Sequence, residues 1–212
     1  MLRISRRALP FLALALAASA GAAHAQNAAT VEGFRSARFQ MTEEQLRKAI
    51  DGDFKGAKIE KRTDAAARTQ VLSIRIPDLI ADRGIAQINY TLGYKSHRLI
   101  QVDIIWNKSI DPKITSEGLN AVTANLRQTM VERGFKKEKT VVNAATDRPD
   151  VIIFFRGEDD EGRVAAVVGR FQFDPKAEEA KRVKIDEPVS VVLSYILNAK
   201  TPDVFKLERG KF

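Results

Sequence analysis

The feature that most constrains this chain is an alternation of apolar and polar side chains over residues 85–106, interrupted once. Ala86, Ile88, Tyr90 and Leu92 alternate with Gln87, Asn89 and Thr91. Residues 93–98 then supply turn chemistry, and Ile100, Val102, Ile104 and Trp106 resume the alternation. A period of two sends alternate side chains to opposite faces, so the segment reads as a β-hairpin. One of its faces is branched and aromatic, and the other carries Gln87, Asn89, Gln101 and Asp103. The apolar face needs a cover, and the fold therefore needs a second layer.

Two segments can supply it. Thr42 is placed to cap a helix, with Gln45 three residues on to complete a capping box and Met41 positioned to staple onto Leu46. Leu46, Ala49, Ile50 and Phe54 follow at helical spacing, while Glu43, Glu44, Arg47 and Lys48 stay on the wet side. Thr115 or Ser116 opens a longer helix whose Leu119, Val122, Leu126 and Met130 share a face with the stem of Arg133. Gly134 closes that helix, and Phe135 is able to fold back on Met130. Before the first helix, residues 34–39 read as one short extended piece. After it come a weak strand from Ile59, an alternating strand through Leu72, Ile74 and Ile76 that stops at Pro77, and the hairpin. After the second come strands over 139–143, 150–156, 164–173 and 189–198, with 174–188 expected as a charged loop or short exposed helix. Near the C-terminus, Pro202-Asp203 signals a turn, with Val204, Phe205 and Leu207 available to pack. The fold class is therefore α+β: two tandem units, each a helix on a four-stranded antiparallel sheet, over residues 26–110 and 111–212. The pattern leaves open whether these form one continuous domain and one sheet or two.

The first 25 residues stand apart. Arg3, Arg6 and Arg7 precede an apolar run over 11–18 and an Ala23-His24-Ala25 cleavage pattern, which is the arrangement of a signal peptide. The apolar run falls short of the roughly 20 residues that span a bilayer, and no later stretch is a transmembrane candidate. The expected mature chain starts at Gln26 and is periplasmic or secreted. Export by the general route and by the twin-arginine route both fit Ser5-Arg6-Arg7. The chain has no cysteine, so disulfides, thiolate chemistry and an acylated N-terminal cysteine are excluded.

The phrase Phe39-Gln40-Met41-Thr42-Glu43-Glu44-Gln45-Leu46, with Ile88-Asn89-Tyr90 and Leu99-Ile100-Gln101-Val102 downstream, resembles the helix entry and hairpin of the β-lactamase-inhibitor-protein-like superfamily. That superfamily includes small outer-membrane assembly lipoproteins, often has glycine where Gln40 stands, and in its lipoprotein members carries a cysteine that this chain lacks. The resemblance covers about a third of the mature chain. It implies an α+β repeat fold, a binding role and an envelope location, and it transfers no functional residue.

Chemistry is constrained mainly by exclusion. The formal charge is +8, and setting aside the three arginines of the leader leaves 32 basic against 27 acidic residues. Arg62, Arg68, Arg75, Lys95, Arg98, Lys136, Lys137 and Lys181 are scattered among acids, which argues against nucleic acid as a partner. The expected partner is an envelope protein or an anionic envelope component. The mature chain has one histidine, His97, in the hairpin turn beside Ser96, a candidate contact whose ordinary reading is an exposed turn residue. Tyr90 and Trp106 are candidate contacts too, although their row, shared with Ile88, Val102 and Ile104, suits a core. Glu158, Asp159, Asp160 and Glu161 lie between Gly157 and Gly162. Calcium-loop spacing is absent, so a wet, mobile hairpin loop outside the core is expected. No cofactor and no catalytic residue is expected. The alternative is a hydrolase of envelope polymers working through carboxylates such as Asp103 and Asp150, and a structural or stress-related periplasmic role is the third reading.

Overall fold

The structure, a computed structural model, describes residues 29–178 and 182–207. The expected signal peptide and the mature start at Gln26 lie outside the described residues. A short hairpin, β1 (Gly33–Phe34) and β2 (Ala37–Arg38), replaces the single extended piece expected there: the chain reverses at Arg35 and Ser36, with Arg35 at φ 52°, and Gly33 at φ 134° leaves room for the returning strand. Any Cβ at that position would collide with the Ala37 carbonyl.

Helix α1 (Glu43–Asp53) begins at Thr42, whose hydroxyl accepts from the Gln45 amide while the Gln45 side chain accepts from the Thr42 amide. Its outer side is laced by Glu43–Arg47 and Glu44–Lys48 pairs, and its inner side buries Leu46 and Ile50. Helix α2 (Ser116–Val131) is capped by Thr115 and buries Leu119, Val122, Thr123, Leu126 and Met130. Gly134 takes φ 79° just past its end. Phe135 then turns onto Phe155, with ring centroids 5.5 Å apart. Among the described residues no helix is long and apolar enough to cross a membrane.

Eight further strands build a single antiparallel sheet. They are β3 (Glu60–Thr63), β4 (Gln70–Pro77), β5 (Ile85–Leu92), β6 (Leu99–Asn107), β7 (Thr140–Ala145), β8 (Val151–Glu158), β9 (Val164–Phe173) and β10 (Val183–Ile196), in the spatial order β3-β4-β5-β6-β10-β9-β8-β7. The alternating segment of residues 85–106 forms the β5–β6 hairpin in the register Tyr90↔Val102 and Ile88↔Ile104. Strand β6 then pairs with β10 from Gln101↔Ile196 to Asn107↔Ser190, which makes the eight strands continuous. The charged stretch over 174–188 is only partly a loop. Val183 and Lys184 pair with Phe173 and Gln172, and the ladder slips around Pro188, which has no N–H to donate.

Both helices pack on the same face. Leu46 and Ile50 of α1 and the apolar row of α2 meet Leu72, Ile74, Ile88, Tyr90, Val102, Ile104, Trp106, Val167, Val191, Leu193 and Tyr195 in one core cluster. A bulge between Ile153 and Phe155 brings Phe154 in against this cluster as well as Phe155, with Phe154 filling the space left beside Gly169. The segment after β10 is clasped to the hairpin turn: Asp203 accepts from the Lys95 and Ser96 amides, and Phe205 sits edge-on to Tyr94 and under Arg68.

Large side chains buried in this layer contribute about 2–3 kcal/mol each, but two carry an internal penalty. The Tyr90 hydroxyl and Trp106 Nε1 are buried with no hydrogen-bond partner among the described residues. Burial also pushes the Tyr90 phenol well above its ordinary pKa. Thermal unfolding followed by circular dichroism should separate these two kinds of core position. Ile104→Asp, which places a charge in the apolar layer, is expected to lower stability by several kcal/mol. Tyr90→Phe, which removes a hydroxyl that bonds to nothing, is expected to leave the melting temperature unchanged or raise it.

Candidate functional site

With both helices on one face, the other face of the sheet has no helix over it among the described residues. The strand registers define two rows that run across it. The first takes one residue from each strand: Glu60, Ser73, Asn89, Asp103, Ser194, Ala166, Arg156 and Val141. The second, two residues further along, passes through Arg75 and Gln87 to Ile105, Val192, Val168 and Ile153. Those four aliphatic side chains are half-buried, although no described helix lies above them. A polar row and an apolar row thus lie side by side across the seam between β6 and β10.

Asp103 stands at the middle of the polar row. Gln101 Nε2 donates to both of its carboxylate oxygens at 2.9 Å, and Ser194 Oγ donates to Oδ1 at 2.6 Å. On β5, the Asn89 carbonyl accepts from Ser73 and Gln87. Every one of these partners is neutral, and no cation lies within ion-pair reach of Asp103 among the described residues. Burial raises the Asp103 pKa, and the bonds from Ser194 and Gln101 offset that only in part. Three shallow clefts border the same face: one of about 280 Å³ beside Gln101, Ile196 and Asp203, one of about 180 Å³ beside Ser73, Arg75 and Gln87, and one of about 400 Å³ beside Asn107, Arg170 and Ser190.

The residues singled out from sequence are not brought together here. Tyr90 and Trp106 belong to the opposite, helix-covered face with 0% and 1% exposure, so neither is a surface contact; the register fixes their side chains inward. His97 is exposed in the hairpin turn at φ 51°, remote from both rows, and its imidazole makes no hydrogen bond among the described residues. Asp150 is held by Arg148 at 2.7 Å and Arg170 at 3.5 Å, and Arg148 keeps its carboxyl below the ordinary range. It lies three strands and several residues from Asp103, roughly 20 Å by strand geometry. Paired glycosidase carboxylates stand within about 10 Å of each other, so these two cannot act on one bond.

The acidic turn departs most from expectation. Asp159 is 4% exposed and is the anchor of the turn. Its carboxylate accepts from the amides of Val31, Glu161 and Arg163 and from the Arg163 guanidinium. Asp160 is gripped by Lys136 and Lys139, Glu158 by Arg156, and Glu161 by Arg163. The four carboxylates therefore do not repel one another in open water, since each has a protein cation. Among the described residues no group of three or more potential metal ligands is placed to hold an ion.

Sequence reading missed Ile105, Val192, Val168, Ile153 and the Gln101–Ser194 frame around Asp103. A signal was present: Ile104-Ile105-Trp106, Val191-Val192-Leu193 and Ile152-Ile153-Phe154 are apolar on consecutive positions, and so on both faces, in a chain with too few helices to cover both. No family model matches the chain, and no curated protein or solved structure matches it either.

Asp159 supplies a test of the turn. Burial alone would raise its pKa, but the Val31 amide and Arg163 outweigh it and hold the carboxyl below the ordinary value. The folded pKa is thus below the unfolded one of about 3.9, so the stabilisation is complete above that pH and is lost as pH falls through the folded value. Asp159→Ala is expected to cost about 3 kcal/mol at pH 7, since it leaves the Val31 amide without its acceptor and the half-buried Arg163 with only the exposed Glu161 as counter-charge. Denaturant unfolding should show the gap between variant and parent narrowing as the pH is lowered below 4.

Proposed function

We propose that this is an exported envelope protein with no chemistry of its own, an accessory protein that binds another envelope protein through the helix-free face of its sheet. The observation that carries the reading is the half-buried row of Ile105, Val192, Val168 and Ile153 on a face that no described helix covers. Apolar rows of this kind, rimmed by polar side chains, mark interaction surfaces on soluble proteins. The chain is read as two helix-plus-meander units, α1 with β3 to β6 and α2 with β7 to β10, joined edge to edge. On that reading the row lies across the junction of the units. A carboxylate near the centre of the face favours a protein over an anionic lipid or polysaccharide.

The resemblance to the β-lactamase-inhibitor-protein-like superfamily points the same way. Gln40, where that superfamily often has glycine, holds φ 69°, a conformation that glycine adopts without strain.

A photo-cross-linking residue at Val192 should give one reproducible protein adduct in the periplasm, whereas the same group at Lys48 on the outside of α1 should give none. Val192→Arg should abolish the adduct formed from Val168. Equal labelling from both faces, or no adduct from Val192, would overturn the reading.

A further inference from the structure

Asp103 combines three properties that together specify a ligand. It is ionisable and held in one orientation by Gln101 and Ser194. Its neighbours are neutral on every side: Asn89 on β5, Ser194 on β10, and Gln101 and Ile105 on its own strand. The charges on the same face stand off from it: Arg75 on β4 and Arg170 on β9 are two strands away, Glu60 and Arg62 on β3 are three, and Arg156 and Glu158 on β8 are three and paired with each other. A carboxylate has room for about four hydrogen bonds, and Oδ2 receives only the one from Gln101. A charge kept in such a place weakens the fold, because the ionised form is the one that burial disfavours. A ligand that supplies the missing positive charge recovers that loss on binding.

The size of the neighbouring apolar row narrows the ligand further. Ile105, Val192, Val168 and Ile153 sit on four adjacent strands, which at the usual strand spacing is roughly 14 Å. That is too long for a small amine and matches four or five residues of extended chain at about 3.3 Å per residue. Asp103 lies two residues from Ile105 at one end of this row, within reach of a long basic side chain.

We infer that the face receives an extended apolar protein segment, laid across Ile105, Val192, Val168 and Ile153, whose single arginine or lysine pairs with Asp103. This rests on the reading of the face as a binding surface and names the chemistry of what it binds.

The test is selection of a random twelve-residue peptide library on the immobilised mature protein. Selected peptides should carry one Arg or Lys within a stretch of apolar residues, and Val192→Arg should abolish their binding. Asp103→Asn should weaken them by about tenfold or more while leaving the protein folded, with a melting temperature at or above that of the parent. Replacing the peptide arginine by citrulline should weaken binding to the parent equally and have no further effect on the Asp103→Asn variant. Peptides lost with Val192→Arg but indifferent to Asp103→Asn would overturn this inference and leave the binding face standing. Peptides indifferent to Val192→Arg, or no selected peptide at all, would overturn both.

Discussion

The antiparallel ladder between β6 and β10 is the interaction on which the rest of the architecture depends. Seven residue pairs, Gln101↔Ile196 to Asn107↔Ser190, tie the strands that follow α1 to those that follow α2. Without this ladder each meander would present an edge whose amides and carbonyls had no partner. With it, Trp106 meets Val191 and Ile104 meets Leu193 on one face, so the two helices cover one core. The same register fixes the other face, because Ile105 must then meet Val192 and Asp103 must meet Ser194. Core and candidate site are two consequences of one alignment, and a slip of one residue would exchange them.

The two faces manage polar groups in opposite ways. On the helix side, Tyr90 and Trp106 contribute large apolar bodies and leave two donors unpaired. On the other side, small and amide side chains form two hydrogen-bonded groups, one around Asn89 and one around Asp103, with no cation in either. Among the buried carboxylates of the described residues, Asp159 has Arg163, Asp150 has Arg148 and Arg170, and Asp111 has the Ile85 and Lys113 amides. Asp103 differs from these three in being held by neutral side chains alone, with neither a cation nor a backbone amide on its carboxylate.

Local patterns were legible in the sequence, and long-range ones were not. The box of Thr42 and Gln45 and the alternation through Ile88 and Val102 depend on residues only a few positions apart, and both appear where the spacing places them. The pairing of β6 with β10 joins segments some 90 residues apart in sequence, and alternation says which way a side chain faces without saying which strand lies alongside. The first part of β10 was hidden by Lys184, Asp186, Glu187 and Pro188, a composition suited to a loop. Asp159 looked solvated because its sequence neighbours are acidic; its partners include the Val31 amide, 128 positions away. The apolar row of the candidate site was concealed inside apolar runs, where half-buried Ile105, Val192 and Val168 each sit between two buried positions.

The position of β10 bears on how such a chain can be handled while it is being made. Strand β10 follows the other described strands in the chain yet occupies the middle of the sheet, with β6 on one side and β9 on the other. Until it arrives, β6 and β9 each expose a long, apolar, hydrogen-bonding edge, and neither meander has its inner boundary sealed. A stretch of the chain that stops short of β10 therefore has no closed centre, and the edges of β6 and β9 are open to pairing with other strands. The clasp of Asp203 and Phe205 onto the turn after β5 is made by residues that follow β10. A truncated product lacking only its C-terminal fifth would lose the centre of the molecule, not its margin, and quality-control proteases would meet it as an open sheet.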